Sequence, residues 1–168
     1  MKIIFLDIDG VLSTQNTRFF FFESSCVNRL NKILEQSKAK IVISSTWRKG
    51  RTIEQLKDLF LHQGHRHKEI NNPIIIDPTL LIDKTPVLSD NQQEDFKLKK
   101  HLNPELFGRG LEISVWIDLT KDNIESYLVL DDDIADIAPH LHRHVKTDCY
   151  LGLQDNDIEP SLKILNTI

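Results

Sequence analysis

Sulfur is scarce in this chain. Of 168 residues, two are cysteines, Cys26 and Cys149, and one is methionine. Two thiols without metal-type spacing exclude a zinc ribbon or a disulfide framework. They read as free thiols of a reducing compartment, a lone disulfide being the alternative. Long apolar runs are missing too. The first one stops at Asp7 after four residues, too short for a signal peptide, and nothing later approaches the roughly 18 apolar residues of a membrane span. Nor is there an excess of charge. The 21 basic and 25 acidic residues leave a net charge of −4, which carries no bulk signal for a nucleic-acid or membrane binder. The remaining reading is a soluble, cytoplasmic protein of one domain, 1–168, with 40% hydrophobic residues to build its core.

What is present alternates. Apolar, β-branched runs recur as KIIFL (2–6), KIVIS (40–44), PIII (73–76), SYLVL (126–130) and the weaker RHVKT (143–147). Their near-continuous hydrophobicity suits strands covered on both faces. Helical patterns lie between them. Val27, Leu30, Ile33 and Leu34 form one apolar stripe. Thr52 and Gln55 make a capping box ahead of Ile53, Leu56, Leu59 and Phe60, with Gly64 as the stop. RGLEISVWI (109–117) reads as another helix, and Pro160 sits in the first turn of a last one. The alternation predicts an α/β fold: an open, mostly parallel, Rossmann-like sheet with helices on both faces. Residues 77–108, polar and punctuated by prolines, read as a loop-rich insertion without a core of its own.

Ligands of open α/β sheets bind at the carboxyl ends of the strands. Asp7 and Asp9 follow the first strand. Ser44, Ser45, Thr46, Trp47 and Arg48 follow the second, and Asp131, Asp132 and Asp133 follow the fourth, with Asp136 beyond. Acids from separate strands repel unless a cation sits among them, and a hard divalent ion with oxygen ligands, most simply Mg²⁺, answers that repulsion. One residue between Asp7 and Asp9 lets both side chains point to the same side of an extended segment. Gly10 lets the chain turn away. A calcium loop fits poorly: its glycine comes too early, and Arg18 stands where the closing Glu belongs. A phospho-accepting receiver would place its acceptor after the third strand, where Asp77 is a poor candidate. The histidines of HQGHRH (62–67) and HLHRH (140–144) lack the partners of a zinc pattern and read as solvated or helix-capping. The Phe19–Phe22 run reads as packing a hairpin onto the body.

These residues carry a resemblance. FLDIDGVLS (5–13) resembles the first motif, DxDGx, of the haloacid dehalogenase-like (HAD) phosphohydrolases, IVISS (41–45) the second and YLVLDDD (127–133) the fourth. Arg109 is the choice for the basic third motif, with Lys84, Lys99 and Lys100 as rivals. More narrowly, ISSTWR, RGLEI and YLVLDDD are similar to the small HAD domains found alone or in multidomain RNA-repair proteins. The resemblance spans roughly 1–150 and implies a phosphomonoester hydrolase with little or no cap. Asp7 would be the nucleophile that forms an aspartyl-phosphate, and Asp9 the acid and base. Ser44 and Arg109 would hold phosphoryl oxygens, with Gly10, Ser45 and Arg48 lining the substrate. Mg²⁺ would rest on Asp7, the Asp9 main-chain carbonyl and the fourth-motif acids. DDDIAD fits a paired form, Asp131 and Asp132, and a spaced form, Asp132 and Asp136. The implied substrate is a phosphorylated small molecule or a phosphorylated nucleic-acid end. A 3′-phosphatase would need a basic groove from Arg48, Lys49, Arg51, Lys97, Lys99 or Lys100 to Asp7. A non-catalytic metal- or phosphate-binding module is the reading from another class. Oligomeric state stays open.

Overall fold

A computed structural model describes residues 1–18, 21–65, 76–135 and 137–167. Its centre is β1 (Lys2–Leu6), flanked by β2 (Lys40–Ile43) and β4 (Ser126–Asp131), with β3 (Leu81–Lys84) and β5 (His144–Lys146) at the edges. The strand order is β3-β2-β1-β4-β5, and every pair is parallel. The helices are α1 (Ser24–Ser37), α2 (Ile53–His65), α3 (Asp90–Lys100), α4 (Arg109–Leu119) and α5 (Ile158–Asn166). Among the described residues no helix is long and apolar enough to cross a membrane.

Alternate strand residues point to opposite faces, and each face has its own core. Ile4, Leu6, Ile41, Ile43, Leu128 and Leu130 pack with Leu30 and Ile33 of α1, Phe60 of α2 and Leu165 of α5. Ile3, Phe5, Val42 and Val129 turn the other way, onto Ile113 and Trp116 of α4. The double coverage is why these strands read as continuous apolar runs. The capping box of α2 forms as expected: the Thr52 N–H donates to Gln55 Oε1 at 2.8 Å, and the Gln55 N–H to Thr52 Oγ1 at 3.2 Å. That helix then runs through Gly64 to His65 instead of stopping. Cys26 and Cys149 are both free thiols.

The third strand departs from the sequence reading. Residues 73–75 of PIII lie outside the described residues, and β3 is LIDK, inside the stretch read as a loop. As an edge strand it pairs only with β2 and buries only Leu81, so it lacks the apolar continuity of its neighbours. The same stretch holds α3, started by a capping box between Ser89 and Gln92. This helix is polar nearly all round, Lys97 being its buried residue, so no apolar stripe announces it. Residues 77–108 are therefore built from an edge strand and a surface helix.

Candidate active site

The ladders continue one residue past the strands, and that lines up the site. The Asp7 N–H donates to the Leu130 carbonyl at 3.0 Å, the Ser44 N–H to Leu6 at 3.0 Å and the Thr147 N–H to Asp131 at 3.1 Å. Asp7, Ser44 and Asp131 therefore stand on one carboxyl edge. Arg109, the first residue of α4, points its Nη1 between two acids, at 2.5 Å from Asp7 Oδ2 and 2.6 Å from Asp131 Oδ2. The other Asp7 oxygen accepts from the Ile8 N–H at 2.7 Å, and the other Asp131 oxygen from the Asp133 N–H at 3.0 Å.

Asp132 closes the group from above Gly10. That glycine adopts φ +76°, and a methyl group on it would overlap the Asp132 carboxyl. A side chain is excluded there both by the left-handed backbone and by the carboxylate. Asp7, Asp131 and Asp132 offer oxygens that all lie within 4.8 Å of one another. Burial, and then the charge of Asp7, push the Asp132 carboxyl above its ordinary range. Asp9 is pushed up chiefly by burial, against a lowering hydrogen bond from Trp47. An all-oxygen set of three crowded carboxylates fits a hard divalent cation. Of the other fourth-motif acids, exposed Asp133 accepts from the Ala135 N–H at 2.8 Å, and Asp136 lies outside the described residues.

The chain matches, over residues 3–158, the family model described as the HAD domain in Swiss Army Knife RNA repair proteins. It belongs to that family. No curated protein and no solved structure gives a significant match.

Within this HAD domain the expected residues divide by what they touch. Ser44 Oγ is fully buried and has no hydrogen-bond partner among the described residues, so a donor stands unused at the edge where Asp7 follows β1. Lys84, Lys99 and Lys100 are engaged elsewhere, on the Arg51 carbonyl, Asp95 and Asp118 respectively, which leaves Arg109 as the base that reaches Asp7. Ser45 is a cap: its Oγ accepts from the Trp47 N–H and starts the 3-10 turn Thr46–Arg48.

Arg48 is not a substrate ligand in this arrangement. It is 2% exposed, and its guanidinium donates to the carbonyls of Ser44, Ser45, Thr85 and Pro86 and to Glu112. Those partners take up its N–H groups, and burial lowers its affinity for a proton despite Glu112. Of the basic residues expected to form a groove, three are engaged away from Asp7. Lys97 is buried with its Nζ on the Pro104 carbonyl, and Lys99 and Lys100 are paired with acids. Of that set, Lys49 and the buried Arg48 line the pocket of about 200 Å³ beside Arg109.

Three contributors have roles that the sequence did not assign. Trp47 donates its indole N–H to both oxygens of Asp9, at 2.9 and 3.0 Å. Glu112 holds Arg48, and Thr147 Oγ1 donates to the Gly10 carbonyl at 2.7 Å. The positions of Trp47, three residues past Ser44, and of Thr147, after the fifth strand, carried a signal. His140 also corrects its reading: it is buried, with Nε2 on the Gly110 carbonyl at 3.0 Å and Nδ1 on the Tyr127 hydroxyl at 2.8 Å. Of the phenylalanine run, Phe19 and Phe20 lie outside the described residues, and Phe22 packs in the core against Phe60.

Proposed function

We propose that this HAD domain is a Mg²⁺-dependent phosphomonoester hydrolase that works through an aspartyl-phosphate on Asp7. The observation that carries the reading is Arg109 bridging Asp7 and Asp131 while Asp132 stands over Gly10. Asp7 attacks phosphorus and the ester P–O bond breaks, the departing alkoxide taking a proton from Asp9. Asp9 then removes a proton from water, the water oxygen bonds to phosphorus, the bond to Asp7 breaks and inorganic phosphate leaves. The free hydroxyl of Ser44 and the guanidinium of Arg109 donate to phosphoryl oxygens as charge shifts between them. Asp7, Asp131, Asp132 and the Asp9 carbonyl would hold the metal, which when bound offsets the charge of the nucleophile and of the phosphate.

The test is hydrolysis of p-nitrophenyl phosphate with and without Mg²⁺ by wild type and Asp7→Asn. Loss of about 10³-fold or more in the variant is expected, since it lacks the nucleophile. Equal rates would overturn the covalent mechanism. No activity in the wild type at full metal occupancy would favour the binding-module reading.

A second reading, a phosphatase for nucleic-acid ends, is favoured by the RNA repair proteins in the family's description. The elements agree with a minimal cap: between β1 and α1 the described chain has only the 3-10 turn Gln15–Thr17, and between β3 and α4 only α3. Such an arrangement suits a macromolecular end. Phosphate release from 3′- and 5′-phosphorylated oligonucleotides, set against a phosphometabolite panel, separates the two substrate classes.

A further inference from the structure

We propose that Trp47 is the positioning residue for Asp9, fixing the plane of its carboxylate for proton transfer to the leaving group. The proposal rests on the phosphatase reading above. Its basis is geometric. A single N–H that reaches both oxygens of one carboxylate, at 2.9 and 3.0 Å, resists rotation of that carboxylate, because turning it lengthens at least one contact. The other tryptophan shows the contrast: Trp116 Nε1 reaches one oxygen of Asp83, at 2.7 Å, and ties α4 to the edge strand β3.

The indole is itself held. Its main-chain N–H caps onto Ser45 Oγ, and the next residue is the buried Arg48 with its carbonyl partners. Its ring lies 6.0 Å from that of Phe22, which stands edge-on to Phe60 at 5.2 Å. On the other side of the contact, the Asp9 turn is closed by the Gly10 N–H on the Ser13 carbonyl, at 2.6 Å, and by Thr147 on the Gly10 carbonyl. Both partners are therefore anchored before substrate arrives. An acid that serves the first half-reaction and a base that serves the second gain from occupying one place throughout.

The test uses the leaving group. p-Nitrophenolate departs without a proton, whereas a simple alkoxide needs one from Asp9. The measured quantity is kcat/KM, which reports the steps up to transfer onto Asp7, for p-nitrophenyl phosphate and for a simple alkyl phosphate. Trp47→Phe keeps the contact with Phe22 and removes the N–H. It is expected to lower kcat/KM for the alkyl ester by about 10- to 100-fold, and for p-nitrophenyl phosphate by less than about threefold. Asp9→Asn should show the same pattern, more deeply. An equal loss on the two esters, or no loss on either, overturns the proposal.

A second readout needs no Trp47 variant. The chain has two tryptophans and so two indole N–H cross-peaks in a ¹⁵N–¹H spectrum. Asp9→Asn in the metal-free protein should move one and leave the other in place. Two stationary peaks would overturn the proposal. If Asp7→Asn retains wild-type rates, the covalent mechanism has failed, and if the wild type hydrolyses neither ester at full metal occupancy, the phosphatase reading has failed. If Asp7→Asn is inactive while Trp47→Phe slows both esters alike, the phosphatase stands and the positioning role alone is lost.

Discussion

Arg48 and Glu112 lie 64 positions apart and meet as a buried ion pair. One sits in the turn after β2, with Ser44 and Trp47; the other sits one helical turn beyond Arg109. The pair thus fastens the helix that delivers the cation to the loop that delivers the hydroxyl. The second Glu112 oxygen accepts from the Leu88 N–H at 3.1 Å, so the connection after β3 is held by the same carboxylate.

Removing one partner leaves a buried charge uncompensated. Glu112→Gln should cost about 3–5 kcal/mol in urea unfolding, and Arg48→Met a similar amount. The double variant Arg48→Met/Glu112→Gln should cost clearly less than the two losses combined. Strict additivity would show that the pair is not coupled.

Gly10→Ala should harm the site more than the fold. The φ of +76° alone costs on the order of 1–3 kcal/mol for a residue with a Cβ, and the added methyl displaces the Asp132 carboxyl. A fall in melting temperature should come with weakened activation in a Mg²⁺ titration. Unchanged Mg²⁺ dependence would mean that Asp132 does not serve the metal.

Asp132→Asn should separate charge repulsion from metal binding. Without metal, its melting temperature should equal or exceed that of wild type, because one of three crowded carboxylates has lost its charge. With MgCl₂ at about 100 times its dissociation constant, wild type should gain about 2.7 kcal/mol and the variant much less. Equal gains would exclude Asp132 as a ligand.

Acid sensitivity should trace to His140. Burial lowers its pKa from 6.5 to about 4, so the unfolded chain takes up the proton first. Stability is then full above pH 6.5 and falls as pH drops towards 4, by about 3 kcal/mol at the conversion of 1.36 kcal/mol per pH unit. His144, also lowered by burial, acts in the same direction. Unfolding free energies at pH 7.5 and 4.5 should differ less in His140→Gln than in wild type. An identical difference would remove His140 from the account.

Residues buried on both sides were legible. Ile3–Leu6, Ile41–Ile43 and Leu128–Leu130 announce their strands because each neighbour adds an apolar contact to one of two cores. The acids that end them announce the site, because charge at the end of such a run needs a partner. β3 and α3 were hidden: an edge strand with only Leu81 buried and a helix exposed nearly all round have no period to display. Arg48 was misread for a different reason. A basic residue beside a phosphate motif suggests an anion, while its partners, carbonyls and Glu112, lie up to 64 positions away and have no local signature. His140 hides likewise, since Gly110 is 30 positions upstream.

The bond from Thr147 to the Gly10 carbonyl spans 137 positions, and beside it the Leu153 N–H donates to Val11 at 2.9 Å. A nascent chain has made Asp7, Ser44, Arg109 and Asp132 before it has made either of these donors. The loop that presents Asp9 is secured by residues synthesised after the last acid of the cluster, Asp132. Translation of this domain therefore yields its reactive groups before the brace that readies them.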